Sequence, residues 1–392
     1  MFHELFCRER SMITKFDDYL IHQTPMPVAS VGTTDTNAYD RYFFEGFTTD
    51  ASLVFGAAFG FYPNKEVVDG AFSVSIGGTQ YSIYASDQAP VERANSAVGP
   101  ISIEILAPMR RVRVRVDDTA RQFHADLVFE AKTGVMEEGR EVITDGARTT
   151  VDMTRYSQLG SWSGWIDVKG TRIELDGQDI LGVRDHSWGI RPLGGPGAQT
   201  RWSREFYWFW SPTFFPDTFL HWHLTDNSKG EIPHRIGALL PLCDAGDTPL
   251  YMRDVGGDSV FPVRFTPQYV EGTRRIKRLD VDLNDKHGPR MRLEIVPNPA
   301  VAFSLSGLGY INHDWEHGTW KGPSFVDQNA WPADQPNPAF PRNSHIHHVC
   351  TVTRDDGVVG HAILEQCIFG PHAPSGLTGV MDGYRSQRQD SA

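Results

Sequence analysis

Features that often reveal the class of a protein are scarce in this sequence. It has only four cysteines in 392 residues and no CxxC pair, which argues against a disulfide scaffold. The formal net charge is -12, so the chain lacks the excess of Lys and Arg that binding to a phosphate backbone requires, and we expect no nucleic-acid partner. A dinucleotide glycine fingerprint and a phosphate loop are also missing, so we expect no cofactor.

Long apolar runs are absent as well. No segment approaches the roughly 20 apolar residues that are needed to span a bilayer, so we expect no membrane span. The N-terminal segment mixes acidic and basic residues within its first ten positions, which is unlike a signal peptide. We therefore expect a cytoplasmic protein.

Helical periodicity is rare, and alternation with a period of two residues replaces it from about residue 43 onwards. Arginines and valines alternate in residues 111–116, and residues 72–84 predict a hairpin with a turn at Gly77 and Gly78. A second set of strand-like segments begins near Phe206. Short strands separated by turn residues predict an all-β, antiparallel protein.

The chain is longer than a single hydrophobic core usually supports. Two prolines and three glycines interrupt the strand pattern in residues 192–198, where we place a domain boundary. A second proline-rich segment, residues 323–342, is predicted as a long loop that forms either a lid or a surface excursion. The predicted division is an N-terminal extension (1–40), a first β domain (41–195), a second β domain (196–378) and a C-terminal tail (379–392).

The densest group of ionisable side chains lies just before this boundary, in the sequence RDHSWG. On a strand, Arg184, His186 and Trp188 would share one face, while Asp185 would lie on the other. A bend at Gly189 would bring Asp185 and His186 into one cavity, and the sequence leaves this open. Such a group forms either a reactive site or a buried polar network that holds the two domains together.

An aromatic segment follows the boundary. Within residues 202–210, apolar residues occupy consecutive rather than alternate positions from 206 to 210, which is typical of a strand that is covered on both sides or that lines an aromatic cavity. Aromatic faces attract a developing cation, and a carboxylic acid buried among apolar groups keeps its proton to higher pH. Together these groups could supply the proton donor and the cation stabilisation that hydration of an alkene needs.

The sequence RDHSWG followed by an aromatic-rich strand resembles the carotenoid 1,2-hydratase (hydroxyneurosporene synthase) and AttH-like superfamily. The resemblance extends over most of the chain, from Gln158 ahead of a Gly- and Trp-rich hairpin to a late Gly-x-x-x-x-Glu strand that ends at Glu365. It implies two tandem lipocalin-like antiparallel β-barrel or sandwich domains. Members hydrate isoprenoid double bonds, and related proteins catalyse terpenoid cyclisation or pericyclic ring closure, so the fold alone does not fix the reaction.

Residue by residue, His186 and Trp188 match the His-x-Trp of the carotenoid hydratases, and Asp185 matches the acid that precedes it. Those hydratases also carry a Tyr-x-Asp soon afterwards, where this chain has a His-Trp-His sequence and Asp226. The candidate catalytic residues are therefore Asp185, His186, Asp226 and Glu365. The candidate substrate-binding residues are Arg184, Trp188, Trp202, Tyr207, Trp208, Trp210, His221 and His223.

Two His-x-His pairs suggest a different chemistry. His221 and His223 would share one strand face, and so would His345 and His347, and paired imidazoles on strands can bind a metal. Neither pair continues into the glutamate and third histidine of a cupin-like site. We therefore expect no metal.

We expect an enzyme that binds a small hydrophobic substrate, isoprenoid- or steroid-like, and hydrates or dehydrates a carbon-carbon double bond by acid catalysis. A cofactor-free cyclase or isomerase that uses the same cavity is the alternative among enzymes. A non-catalytic lipocalin-like carrier is the alternative outside them. The sequence is compatible with a homodimer.

Overall fold

The computed structural model describes residues 12–193, 205–312, 314–334 and 343–385. Strands dominate, and their pairings in this part of the chain are antiparallel. The same residues contain no helix that is long and apolar enough to cross a bilayer. Their helical segments are single turns, namely the 3-10 turns Lys15–Asp18, Pro63–Lys65, Leu305–Leu308 and Ala373–Ser375 and the α-helical turn Met252–Val255.

The first sheet has thirteen strands. They are β1 (Ala38–Phe47), β2 (Leu53–Tyr62), β3 (Val67–Ile76), β4 (Thr79–Gln88), β5 (Ala97–Val98), β6 (Ile101–Ala107), β7 (Arg111–Asp118), β8 (Phe123–Ala131), β9 (Met136–Asp145), β10 (Arg148–Val168), β11 (Thr171–Glu174), β12 (Leu181–Ile190) and, from far along the chain, β20 (Phe325–Pro332). The strand order is β20-β4-β3-β2-β1-β12-β10-β8-β7-β6-β5, and β9 and β11 both pair with β10.

This sheet curls until its two ends share one core. Gly70 in β3 packs so closely that a Cβ atom there would lie 2.9 Å from a methyl group of Val98 in β5. The valines of β7 point into this core and are buried, whereas its arginines alternate with them on the opposite face, as the sequence predicted.

The second sheet is a closed barrel. Its strands are β13 (Phe206–Phe214), β14 (Phe219–Asp226), β15 (His234–Leu240), β16 (Asp258–Tyr269), β17 (Ile276–Asp285), β18 (Gly288–Pro297), β19 (Phe303–Ser304), β21 (His345–Arg354) and β22 (Val359–Phe369). Eight of them form the ring, which closes where β18 pairs with β21, and β19 adds to β21 outside it. The predicted all-β class with two tandem lipocalin-like units is confirmed.

The two sheets share a second core. β2 is buried at every position because one of its faces lines the core of the first sheet while the other packs towards the barrel. Phe55 belongs to the first core, whereas Val54 and Ala58 lie in an apolar cluster with Trp210 and Phe303 of the second sheet. The polar residues described below lie within this shared layer.

Residues 305–312 and 314–332 leave the barrel and pack on the first sheet. Arg41 in β1 donates a hydrogen bond of 2.7 Å to the carbonyl oxygen of Leu308, and Gln80 in β4 bonds to both the N–H and the carbonyl of Ser304 at 2.8 Å. β20 then pairs along the edge of β4. The excursion therefore completes the first sheet with chain from the second half.

The prediction of a loop over residues 323–342 was wrong for the part that forms β20, because pairing with β4 satisfies its backbone groups. Residues 335–342 lie outside the described residues, as do residues 194–204 around the predicted domain boundary. The division at residue 195 stays a prediction, although β20 comes from the predicted second domain and joins the first sheet.

Candidate active site

β12 carries the RDHSWG sequence between β1 and β10. It pairs with both neighbours without a break in register. Gly189 adopts φ +129°, and a Cβ atom there would lie 2.1 Å from the carbonyl oxygen of Asp152 in β10. Because the strand stays regular, Asp185 and His186 lie on opposite faces of the sheet, and no bend at Gly189 brings them together.

A cavity of about 630 Å³ lies between the outer face of the first sheet and the barrel. Asp185 lines it from β12, Trp208 from β13 and Glu365 from β22, while Tyr310 closes it from the excursion after the 3-10 turn Leu305–Leu308. Its volume is within the range of small-molecule sites, roughly 300–1,000 Å³. Ten charged or imidazole side chains line the cavity beside aromatic surface, which suits an apolar ligand that also carries polar substituents.

Asp185 has the electrostatics of a weak acid. Burial raises the pKa of its carboxyl group to about 7, against the opposing influence of the guanidinium group of Arg155, and the negative charge of Glu138 adds to the rise. No hydrogen bond joins this carboxyl group to another described residue. Near neutral pH, Asp185 therefore carries a proton for a substantial part of the time and points it into the cavity.

Glu365 lies on the barrel wall within a chain of ionisable groups. Its carboxylate lies 2.6 Å from Nε2 of His345 and 3.3 Å from Nε2 of His347, and Nδ1 of His347 lies 2.7 Å from the carboxylate of Glu45 in β1. Burial raises the pKa of Glu365, but the close approach of the two histidines outweighs burial and lowers the pKa below its usual value. Burial lowers the pKa of His347, yet the two carboxylates raise it to about 10.

A second buried carboxylate, Glu138 in β9, lies deeper in the shared layer. The guanidinium group of Arg155 lies 3.3 Å from it, and a ring nitrogen of each of His221 and His223 lies 3.1 Å from it. Ser157 also donates a hydrogen bond to this carboxylate. Burial raises the pKa of Glu138, but the guanidinium group of Arg155 and the two histidines lower it well below its usual value.

Aromatic rings form the barrel side of the cavity. The ring of Trp208 stacks on Phe206 with centroids 6.1 Å apart, and the guanidinium group of Arg155 lies 5.5 Å from the ring centroid of Trp208. Trp210 lies behind this wall, with its ring 4.8 Å from that of His221. His221 and His223 therefore bind Glu138 behind the tryptophans rather than line the cavity.

Three further candidate residues lie on the face of β12 away from the cavity. Nε2 of His186 lies 2.6 Å from the carboxylate of Asp40, and Arg184 donates a 3.0 Å hydrogen bond to Gln158. Trp188 is 40% exposed. The structure thus separates these residues from Asp185 by the thickness of the sheet.

Tyr207 and Asp226 lie inside the barrel. The hydroxyl group of Tyr207 is 2.5 Å from that of Tyr269, and the carboxylate of Asp226 is 2.9 Å from Nε2 of His372. The cavity therefore brings together Asp185, Trp208 and Glu365 from the predicted set, but not Tyr207 or Asp226. Trp202 lies outside the described residues.

Sequence reasoning did not single out Glu138, Arg155, Glu45 or Tyr310. Glu138 and Arg155 occur in polar, alternating segments that resemble those of exposed strands, and no local pattern marks them as buried. The neighbours of Glu45 are apolar and aromatic, which indicates a strand that is covered on both faces. A lone carboxylate in such a strand must be paired, so this pattern could have marked Glu45 as a buried polar group.

The comparisons with known proteins agree with this tandem lipocalin-like fold. A family model described as a family of unknown function, DUF8625, matches residues 13–378, so the chain belongs to that family. A search of curated proteins finds no match.

Among solved structures, the chain is similar to kievitone hydratase from Nectria haematococca, with a TM-score of 0.50 and 10% identity over 86% of this chain and 93% of that one. It is also similar to NE1406 from Nitrosomonas europaea, described as an AttH, with a TM-score of 0.49 and 15% identity over 84% and 92% of the two chains. The likeness to CghA bound to Sch210972 has a TM-score of 0.48 and 11% identity over 85% and 89%. The fold implied by the resemblance is confirmed, whereas a specific relation to carotenoid hydratases stays a prediction.

Proposed function

We propose that this protein is an enzyme that adds water to, or removes it from, a carbon-carbon double bond of an apolar, isoprenoid- or steroid-like molecule. The observation that carries the proposal is Asp185, a carboxyl group with a pKa of about 7 that faces an aromatic-lined cavity of about 630 Å³. A general acid works best when its pKa is near the working pH. The fold is also shared with a protein named as a hydratase, kievitone hydratase, which is compatible with this reaction.

In the hydration direction, the carboxyl proton of Asp185 moves to one alkene carbon, and a cation develops on the other. The ring faces of Trp208 and Phe206 line the cavity on the barrel side and attract that cation. A water molecule held by the polar wall at Glu365 and His345 adds through its oxygen to the cationic carbon. The proton that this water loses returns to the carboxylate of Asp185 through the cavity, and dehydration follows the same steps in reverse.

The test compares Asp185→Asn with the wild type on a panel of isoprenoid and steroid alkenes and alcohols, with mass spectrometry to detect the gain or loss of water. The amide keeps the shape of the side chain but has no acidic proton, so we expect ligand binding to persist while turnover falls about 10²- to 10⁴-fold. Wild-type turnover should also decrease as the pH rises above about 7, because Asp185 then loses its proton.

Asp152→Asn is the matched control, since Asp152 lies on the neighbouring strand and pairs with Arg140 at the surface. It should leave turnover unchanged. Full activity in Asp185→Asn would exclude Asp185 as the acid. Products that are isomeric with the substrate would instead indicate a cyclase or isomerase, and ligand binding without any turnover in the wild type would indicate a carrier.

A further inference from the structure

We infer that His345, His347 and Glu365 form a binding site for a divalent transition-metal ion such as Zn²⁺ on the wall of the cavity. The two histidines share one face of β21, and Glu365 lies directly opposite His347 on β22. One donor atom from each of the three residues lies within 4.8 Å of the others. Ligands bound to one zinc ion at about 2.0–2.2 Å are themselves separated by somewhat less than this, so small side-chain rotations suffice.

The surroundings of His347 match those of a metal ligand. Its Nδ1 lies 2.7 Å from the carboxylate of Glu45, which orients the ring so that Nε2 faces Glu365, and a bound metal ion would displace the proton from Nε2. This Nε2 atom is buried and forms no hydrogen bond of good geometry with the described residues. A carboxylate on the far nitrogen of a ligating histidine is a common feature of metal sites, because it orients the ring and increases its basicity.

The Glu138 cluster provides an internal comparison, since it has the same composition of two histidines and one glutamate. There the guanidinium group of Arg155 lies 3.3 Å from the carboxylate, and Ser157 donates to the other oxygen. A second cation would be repelled by Arg155, and one carboxylate oxygen already accepts the hydrogen bond of Ser157. No described side chain of Lys or Arg forms an ion pair with Glu365, so the two clusters should differ in metal affinity.

Charge and access favour the same site. Glu365 and Glu45 flank His347, and a divalent cation that displaces the ring proton would take over the balancing of these carboxylates within a buried layer. His345 and Glu365 also line the cavity, so a bound ion would keep an open position for a water or for an oxygen atom of a ligand. Two imidazoles and one carboxylate are ligands typical of zinc and of non-haem iron rather than of Mg²⁺ or Ca²⁺.

The experiment uses the full chain, stripped with a chelator and titrated by calorimetry with Zn²⁺, and with Co²⁺ as an absorption probe. We expect one ion per chain and a rise in Tm, with no binding of Mg²⁺. His345→Gln and Glu365→Gln should each weaken Zn²⁺ binding at least about 100-fold, while Glu45→Gln should weaken it about 10- to 100-fold. His223→Gln, in the Glu138 cluster, should leave binding unchanged.

Tm and circular dichroism identify any variant that fails to fold. Glu365 is the most exposed of the three residues, so Glu365→Gln is the variant that decides the test if a histidine variant does not fold. The inference is overturned if the wild type does not bind Zn²⁺, if binding survives in folded His345→Gln and Glu365→Gln, or if His223→Gln abolishes it. Binding does not depend on the proposed acid, Asp185, so Asp185→Asn should bind Zn²⁺ normally whether or not the proposed reaction is correct.

Discussion

The carboxyl group of Asp185 owes its unusual acidity to its environment rather than to a local bond. Burial dominates, and the nearby charges largely oppose one another, since Arg155 and Arg191 favour the anion while Glu138 and Glu365 disfavour it. The folded protein therefore binds a proton at this residue that the unfolded chain would release. The stability of the protein should reflect this difference.

We predict that Asp185→Asn changes the pH dependence of stability. The unfolded carboxyl group ionises near pH 3.8 and the folded one near pH 7, so between these values folding takes up a proton and wild-type stability falls as the pH rises. The amide cannot ionise, so above pH 7 the variant should be more stable than the wild type by up to about 4 kcal/mol, and this gain should disappear towards pH 4. Urea unfolding across this pH range measures the difference.

Asp152→Asn supplies the control for that measurement. The pKa of Asp152 is lowered by its hydrogen bond with Arg140, so its removal should not stabilise the protein at any pH. A gain in Asp185→Asn that is equal at pH 4 and pH 8 would contradict the assigned pKa.

At the residue scale, the sequence indicated Asp185 and the aromatic side chains, but not the groups that set their chemistry. The sequence left open whether Asp185 and His186 share a cavity, and the regular register of β12 places them on opposite faces of the sheet. Glu138 and Arg155 are distant in sequence from the motif, and their burial depends on how the barrel packs on the first sheet. The packing of the barrel on the first sheet cannot be predicted from the residue pattern of a single sequence.

At the scale of elements, β12 depends on a close approach between two backbones at Gly189. We predict that Gly189→Ala destabilises the protein far more than Gly177→Ala, although both residues have positive φ. Alanine at positive φ costs about 1–2 kcal/mol at either position. At Gly189 the new methyl group would also overlap the carbonyl oxygen of Asp152, which should add roughly 1–3 kcal/mol.

Thermal unfolding of the two variants measures this difference. A Cβ atom at Gly177 would have no neighbour within 4 Å, so that variant reports backbone strain alone. Equal losses in Tm would show that the contact with β10 is not tight.

The sequence of the β21–β22 hairpin contains a signal that could have placed Glu365 beside His345 and His347. A turn over residues 354–357, with Asp355 and Asp356 at its centre, closes a short hairpin, and His347 and Glu365 each lie nine positions from Asp356. Folding the hairpin about that turn places the two side chains opposite each other. The cupin-like spacing considered in the sequence analysis looks for a glutamate a few residues further along the same strand. Here the glutamate, Glu365, lies opposite His347 on the neighbouring strand.

At the scale of the whole molecule, each half covers surface that the other would expose. The outer faces of β1 to β3 pack on the barrel and on residues 305–312 and 314–332, and β4 pairs with β20. We predict that residues 1–193 expressed alone form aggregates, because an unpaired edge strand and a large apolar face would be exposed. Size-exclusion chromatography and circular dichroism of this fragment, alone and co-expressed with residues 194–392, test the expectation.

Co-expression should restore a soluble complex, since it supplies β20. A monomeric fragment of residues 1–193 with cooperative unfolding would show instead that the first sheet is independent of the second half. The sequence could predict two β units but not that β20 of the second half joins the first sheet. The strand β20 is short, and its partner β4 lies far away in the chain.

The pairing of β20 with β4 also sets an order of events during synthesis. Tyr84 and Asn329, which share a hydrogen bond across these strands, are 245 residues apart. At about 5–20 residues per second, a ribosome needs roughly 10–50 s to reach Asn329 after it has made Tyr84. The nascent N-terminal half must wait for that interval with its edge strand unpaired, so the completion of its sheet is coupled to the synthesis of β20.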